Sequence, residues 1–311
     1  MRGGSGLTAA QLAHFRKNGF VLLPGLFSAA EVAEHLGAVQ QLQAAEVVGP
    51  VVAANPRLDF DGSLIKMIEP VLDLSPGLAA VAESQKVQAI FRDIFDGDEP
   101  MLFEDKVHMK LPSTEPTQTL HGLGAFPWHQ DAAFWSTYSP SLASLVVYLD
   151  DSTEANGCLQ LAPHPPATGL LEHVTGQYAG FPLSIEPGRM QQLRGDGGDA
   201  VVQAKLAAGG AVLFSCMAPH ASLPNVSAGP RRTLFLSYSP AADGDGYRVV
   251  SRTKPAYAVG SHNLGFLPVH KVAAWRRWLD GGGGDGGGGG DGGGSGGADM
   301  IWGGAAKAEV V

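Results

Sequence analysis

From about residue 101 the sequence is cut into short apolar runs. Residues 101–111, 142–149, 158–162, 211–217 and 233–238 are such runs, and Gly and Pro clusters separate them. Several short strands joined by irregular loops predict a mainly β domain, a sandwich or barrel. No strand-then-helix alternation supports a doubly wound sheet. The chain has no GxGxxG, no phosphate-binding P-loop and no GxSxG elbow.

The first hundred residues read as mainly helical. Thr8 followed by Gln11, and Ser28 followed by Glu31, are capping boxes that open helices. Gly19 ends the first helix, and residues 20–23 follow as a short buried strand. Ser75-Pro76 opens a third helix, expected to run through Leu78, Val81 and Val87 toward Ile94. Trp275 and Trp278 have helical spacing in a last helix over 270–279. The expected organisation is one domain over 7–280. It has a helical part over about 7–100, a barrel over about 101–240 and an extension over 241–280.

Residues 281–297 hold fourteen glycines, two aspartates and one serine. Such a stretch buries too little apolar surface to offset its chain entropy, so 281–299 is expected to be disordered, with 300–311 as a tail. The formal net charge is −9, and Asp280, Asp285, Asp291 and Asp299 lie in or beside the glycine segment. Without those four the remainder carries −5, which argues against a nucleic-acid partner. No apolar run is long enough to span a membrane. The ends show no signal peptide and no peroxisomal address. Two cysteines, Cys158 and Cys216, give no disulfide framework. An intracellular, cytoplasmic protein is expected, acting on a small molecule, with no membrane and no obligate protein partner.

The chemistry concentrates in two segments. In Pro127-Trp128-His129-Gln130-Asp131, the histidine and the aspartate are two apart. On an extended strand they would face the same side and offer a nitrogen and an oxygen to a divalent metal. A third ligand must come from elsewhere, which suggests the facial triad of two histidines and one carboxylate. Taken alone, a His-x-Asp pair is more often a surface coincidence. The second segment runs from Pro219-His220 through Asn225 to Arg231-Arg232-Thr233. Arg231 and Arg232 must point to opposite faces of a strand. One of them therefore faces a barrel interior, where a guanidinium needs an anionic partner. A dicarboxylate fits the planar fork. The plainer reading has both as solvated edge residues.

With these pieces in order, the chain resembles the phytanoyl-CoA dioxygenase family of iron(II)- and 2-oxoglutarate-dependent oxygenases. The resemblance rests on Trp128-His129-Gln130-Asp131, Asn156-Gly157-Cys158-Leu159, His220 through Asn225 to Arg231, and Gly19 to Gly25. It implies a double-stranded β-helix, a jelly-roll barrel, with helices packed on it. It implies Fe(II) on His129, Asp131 and His220, with 2-oxoglutarate as cosubstrate and O2 as co-reactant. Arg231, eleven residues after the distal histidine, would anchor the far carboxylate. Thr233 shares its strand face and would assist. Lys66, in the apolar run 64–68, matches a family lysine near the cosubstrate, although a lysine snorkelling from a partly buried helix is the plainer reading. Having Asp131 favours hydroxylation, since related halogenases lack that carboxylate.

Phe126, Trp128, Phe134 and Trp135 flank the metal strand, either as substrate-pocket walls or as barrel packing. The sequence departs from the family at Pro163-His164-Pro165-Pro166, so that turn is expected to be reshaped and His164 is not a ligand. His121 is read as a loop histidine. Two alternatives stay open, a non-oxygenase cupin-like metalloprotein and a catalytically silent interaction module. The glycine segment follows every proposed ligand. Its deletion is expected to leave iron and 2-oxoglutarate binding unchanged, as measured by anaerobic titration of the shortened chain.

Overall fold

The computed structural model describes residues between 6 and 244, without 45–59, 62–63, 66, 69–70, 73–74, 113–124, 136–137, 179–180 and 196–199. The expected helix over 270–279, the glycine segment, His121 and Lys66 lie outside the described residues.

Two antiparallel sheets form the barrel. The larger is ordered β1 (Phe20–Leu23), β12 (Ala211–Ser215), β7 (Ala143–Tyr148), β14 (Arg231–Pro240), β5 (Pro100–Lys110) and β4 (Met67–Ile68). The smaller is ordered β11 (Val202–Gln203), β8 (Leu159–Leu161), β13 (His220–Ser222) and β6 (Phe126–His129). Two hairpins complete the set, β2 (Phe60–Asp61) with β3 (Leu64–Ile65), and β9 (His173–Tyr178) with β10 (Phe181–Ile185). Neighbouring strands are mostly distant in sequence, as a jelly roll requires.

The pleat sorts the side chains between two cores. Along β7, Leu145 and Val147 point to the helix side, while Val146 and Tyr148 point between the sheets. On β12, Ala211 and Leu213 face the helices, while Val212 and Phe214 face inward. Both strands are buried on both faces, so they read as continuous apolar runs and not as alternation. The outer core takes Phe15, Val39, Leu78, Val87 and Phe91 from the helices. Each such side chain contributes roughly 1.5–3 kcal/mol on burial.

The local signals before residue 100 act as expected in part. Thr8 and Gln11 form a reciprocal capping box on the helix Ala9–Asn18. Gly19 closes it with φ 81°. A Cβ there would sit 2.5 Å from the His164 carbonyl oxygen, so the close approach as well as the dihedral demands glycine. Ser28 and Glu31 form the second box.

Two expectations need correction. The third helix is two, Pro76–Glu83 and Gln85–Ile94. Ser84 leaves the helical region (φ −60°, ψ 141°) and its hydroxyl caps the second. The apolar run 64–68 contains strands, not a helix. The expected short strand β1 and the strand β4 both extend the large sheet. The hairpin β9–β10 and the helix Pro187–Arg194 are not legible in the sequence, since their segments lack a clean apolar period.

Asn225 fixes the connection between the two sheets. It is fully buried. Its Nδ2 donates to the carbonyls of Lys110 and Gly229, each at 2.8 Å. Its Oδ1 accepts from the Ser227 amide at 2.9 Å and the Ser227 hydroxyl at 2.6 Å. The Asn225-Val226-Ser227 sequon is thus a structural pin with no amide available for a glycan. Asn225→Ala is expected to cost about 2–4 kcal/mol, the loss of these bonds with buried carbonyls left unpaired. Urea-induced unfolding of the variant checks it.

Candidate metal centre

His129 ends β6 and His220 begins β13, and the two are direct cross-strand partners. Their ring centroids lie 4.2 Å apart. Each Nδ1 faces a backbone carbonyl, that of Pro127 at 2.8 Å and that of Ala218 at 3.0 Å. A carbonyl can only accept, so Nδ1 carries the proton and Nε2 keeps the lone pair. Both Nε2 atoms lie 3.6 Å from Asp131 Oδ1. One ligand atom from each of the three residues falls within 4.8 Å of the others. Among the described residues this is the sole group of three or more such side chains able to hold an ion.

Asp131 arrives by a route the sequence did not show. The strand ends at His129, and Asp131 starts a single 3-10 turn, Asp131–Ala133. The shared face therefore comes from a chain corner, not from strand parity. Gln130 holds that corner. It is fully buried. Its Nε2 donates to the carbonyls of Met217 (2.6 Å) and Gly169 (3.2 Å), and its Oε1 accepts from the Leu171 amide (2.7 Å). The Ala132 amide adds a bond to the Cys216 carbonyl. The residue between the two ligands thus ties them to the loops before β9 and β13.

Electrostatics prepare the three groups for a cation. Burial, reinforced by His129, pushes His220 down to about 4, so its imidazole is neutral at physiological pH. Burial alone would raise the Asp131 carboxyl, yet His220 and His129 outweigh it and hold Asp131 below its usual range. A carboxylate and two imidazoles that present Nε2 form the donor set that a hard-to-borderline divalent ion takes.

Arg231 and Arg232 part as strand geometry requires. Arg232 pairs with Asp150 through Nε (2.8 Å) and Nη2 (2.6 Å). Arg231 is 3% exposed. Its Nη1 donates to the Gly157 carbonyl, and its Nε is buried without a partner. Among the described residues no carboxylate pairs with it. Thr233 is buried on the same face, and its hydroxyl meets the His108 carbonyl at 3.2 Å.

The aromatic residues divide between pocket wall and barrel packing. Phe134 sets its edge on the His129 ring at 5.7 Å. Phe126 lies beside His108 at 5.8 Å and under the Lys110 ammonium at 5.5 Å. Trp135 packs on Phe103, and Trp128 joins the apolar cluster of Ala162, Ile185 and Met190. His164 is buried and bonds the Gly169 carbonyl at 2.8 Å, away from the metal cluster. A small cleft along β6 and β13, lined by Phe126, Trp128, Gln160 and Ser222, includes none of the three ligand candidates.

Sequence reasoning missed Lys110. It is fully buried on β5, directly opposite Arg231 on β14. Burial first, then Arg231, pushes its ammonium down to about 6. The available signal was a lysine at an alternate position of a strand that is otherwise core. Glu104, Lys106, His108 and Lys110 all occupy such positions.

Residues 15–233 match the phytanoyl-CoA dioxygenase (PhyH) family. The chain belongs to that family. It is 29% identical over 249 residues to the ectoine dioxygenase of Bordetella parapertussis, covering 75% of each chain. It is 27% identical over 244 residues to the methylphosphonate hydroxylase of Gimesia maris, covering 77% of this chain and 83% of that one. The crystal structure of EctD from S. alaskensis with 2-oxoglutarate and 5-hydroxyectoine shares the fold, with TM-score 0.60 and 23% identity over 83% of this chain and 85% of that one. The family places the chain among the iron(II)- and 2-oxoglutarate-dependent dioxygenases, and the three-residue cluster has the donors such iron takes.

The buried imidazoles also set the response to acid. His35, His108, His173 and His220 are all held below 6.5, burial being the largest cause in each. The unfolded chain therefore takes up protons first as pH falls through 6.5. Stability of the metal-free protein is expected to drop steadily from about pH 6.5 toward 4. Urea midpoints measured across that range check it, and a flat profile would contradict the neutral assignment.

Proposed function

We propose that the chain hydroxylates a small, free organic metabolite, with iron(II) held by His129, Asp131 and His220 and 2-oxoglutarate anchored by Arg231. The observation that carries the reading is a pair of features in one barrel. A His-Asp-His cluster lies within 4.8 Å, and a buried arginine on β14 of the large sheet has an unpartnered Nε and no carboxylate of its own among the described residues. A plain metal-binding barrel has no use for the second feature. When bound, iron and 2-oxoglutarate supply oxidative decarboxylation to succinate and CO2, coupled to insertion of one oxygen atom from O2 into the substrate.

The chain's own residues bind and position. His129 and His220 present Nε2, with Nδ1 held by carbonyls so that the rings cannot turn. Asp131 supplies the anionic ligand, and Gln130 holds it in register. Phe134 covers one edge of His129 and limits water there. Arg231 takes the far carboxylate of the cosubstrate. Thr233 can turn its hydroxyl from the long bond to His108 toward the same carboxylate. Lys66 stands as a further contact on the family resemblance alone. The catalytic unit is one domain ending before the glycine segment.

The substrate class follows from two supports. The similar curated proteins are named for small molecules such as ectoine and methylphosphonate. The basic residues after the barrel, Arg248, Arg252, Lys254, Lys271, Arg276 and Arg277, are scattered along the sequence, which argues mildly against the clustered phosphate contacts of a CoA thioester. A reducing cytoplasm suits the two cysteines, which are buried and free. No described helix is long and apolar enough to cross a membrane.

Succinate release over a panel of small polar metabolites tests the reading. His129→Ala is expected to abolish it, and persistent turnover would remove the proposed iron site. Arg231→Lys is expected to raise the half-saturating 2-oxoglutarate concentration about tenfold or more, through loss of the bidentate fork. Arg232→Lys touches only the Asp150 pair and is expected to change it little.

A further inference from the structure

The inward face of β5 carries an ion pair that neither the metal cluster nor the arginine anchor uses. Glu104 and Lys106 are two apart on the strand, so they share a face. Lys106 Nζ lies 2.9 Å from Glu104 Oε2. Val107 and Met109 bury into the helices, which puts the pair on the barrel side. Lys106 faces Phe235 across the β5–β14 register, with its ammonium 5.5 Å from the ring centre. Glu104 faces Ser237 in the same register.

A row of neighbours connects the pair to the metal cluster. Ser237 Oγ lies 3.5 Å from Glu104 Oε2 and 2.8 Å from Ser144 Oγ. Ser144 pairs with Phe214 on β12, and the Phe214 ring centre lies 4.7 Å from that of His220. The ammonium acts on the cluster as well. Burial is the largest influence on Asp131 and His220, and the Lys106 charge is a further one that lowers both.

Folding does not account for a charge pair in this position. Two charges taken out of water regain at most about what they lose, and apolar side chains of the same volume usually serve stability as well or better. The pair is also not sealed in. The Lys106 side chain is 22% exposed and that of Glu104 10%, whereas Val107 and Met109 on the opposite face are fully buried. A ligand at the metal cluster therefore meets a cation and an anion side by side. A substrate of one sign would face a like charge along with the opposite one. A substrate with both signs finds a counter-charge at each end. We infer that the primary substrate is a small zwitterion, with its acid group bound by Lys106 and its ammonium by Glu104. The inference rests on the oxygenase reading of the metal cluster and names the substrate class for it. Turnover converts one C–H of the zwitterion to C–OH, with one oxygen atom of O2 in the hydroxyl and the other in succinate.

Succinate release with Fe(II), 2-oxoglutarate and O2 tests this on a panel of α- to ω-amino acids. Each is run beside its N-acetyl derivative, which keeps only the acid charge, and its amide, which keeps only the ammonium. The wild type is expected to exceed its substrate-free rate with at least one free amino acid. The half-saturating concentration of that amino acid is expected to lie about tenfold or more below those of both derivatives, the size of one charge-assisted contact. Glu104→Gln is expected to shrink the gap to the N-acetyl form below about threefold, and Lys106→Gln the gap to the amide. The inference is overturned if no free amino acid raises the rate, if the derivatives serve as well as the parent, or if the variants keep the wild-type gaps. In each case substrate-free succinate release that requires Fe(II) leaves the oxygenase reading standing. No iron-dependent succinate from any mixture would overturn both. A single variant strands one charge and can fail to fold. The double variant Glu104→Gln, Lys106→Gln strands none and is then compared. It is expected to lose both gaps, and keeping either one overturns the inference.

Discussion

The pairing of His220 with His129 across β13 and β6 is the contact on which the site depends. A slip of one residue would turn one imidazole out of the barrel, because strand side chains alternate. The register is fixed from several sides. β13 is held between β6 and β8, so His220 also aligns with Leu161. The Ala162 amide bonds the Pro219 carbonyl just before the strand. Gln130 ties the corner carrying Asp131 to the Met217 carbonyl, three residues before His220. The three candidate ligands are thus held by the pairing of the small sheet, by its loops and by the buried Gln130 side chain.

The second constraint is charge inside the barrel. The inward face of β5 carries Glu104, Lys106, His108 and Lys110 in succession, a row seldom found in a core. Glu104 and Lys106 pair with each other at 2.9 Å. Lys110 and Arg231 have no such partner among the described residues. Buried cations are costly without a counter-charge. The opposite face of the large sheet is mainly apolar, with buried Asp105 accepting from the Val71 and Leu72 amides. Val107, Met109, Leu234 and Leu236 alternate with the charged positions and bury into the helices.

Much of this is legible in the sequence. The capping boxes at Thr8 and Ser28 work through residues three apart, so local sequence carries them. The barrel strands from 101 onward are readable because both faces of β7 and β12 are apolar. The split at Ser84 is less legible, because a serine inside an apolar period can extend a helix or cap a new one. In the structure it caps, its hydroxyl accepting from the Val87 amide. The hairpin β9–β10 escapes notice because its segments lack a clean apolar period. Asp131 does lie beside His129, but for a different local reason than strand parity. Spacing by two fits a strand, and a buried glutamine turns the chain instead.

By itself, the sequence determined the mainly β class, the candidate ligand residue types and the spacing of His220, Asn225 and Arg231. These rest on local periodicity and on side-chain chemistry that does not change with context. Only the tertiary structure decided that Asp131 meets both histidines at 3.6 Å, that Arg231 faces inward while Arg232 meets Asp150, and that Lys110 joins Arg231. Each of those outcomes depends on which strands pair and in what register. The partners there are tens to about a hundred residues apart in the chain, and only the closed barrel brings them together.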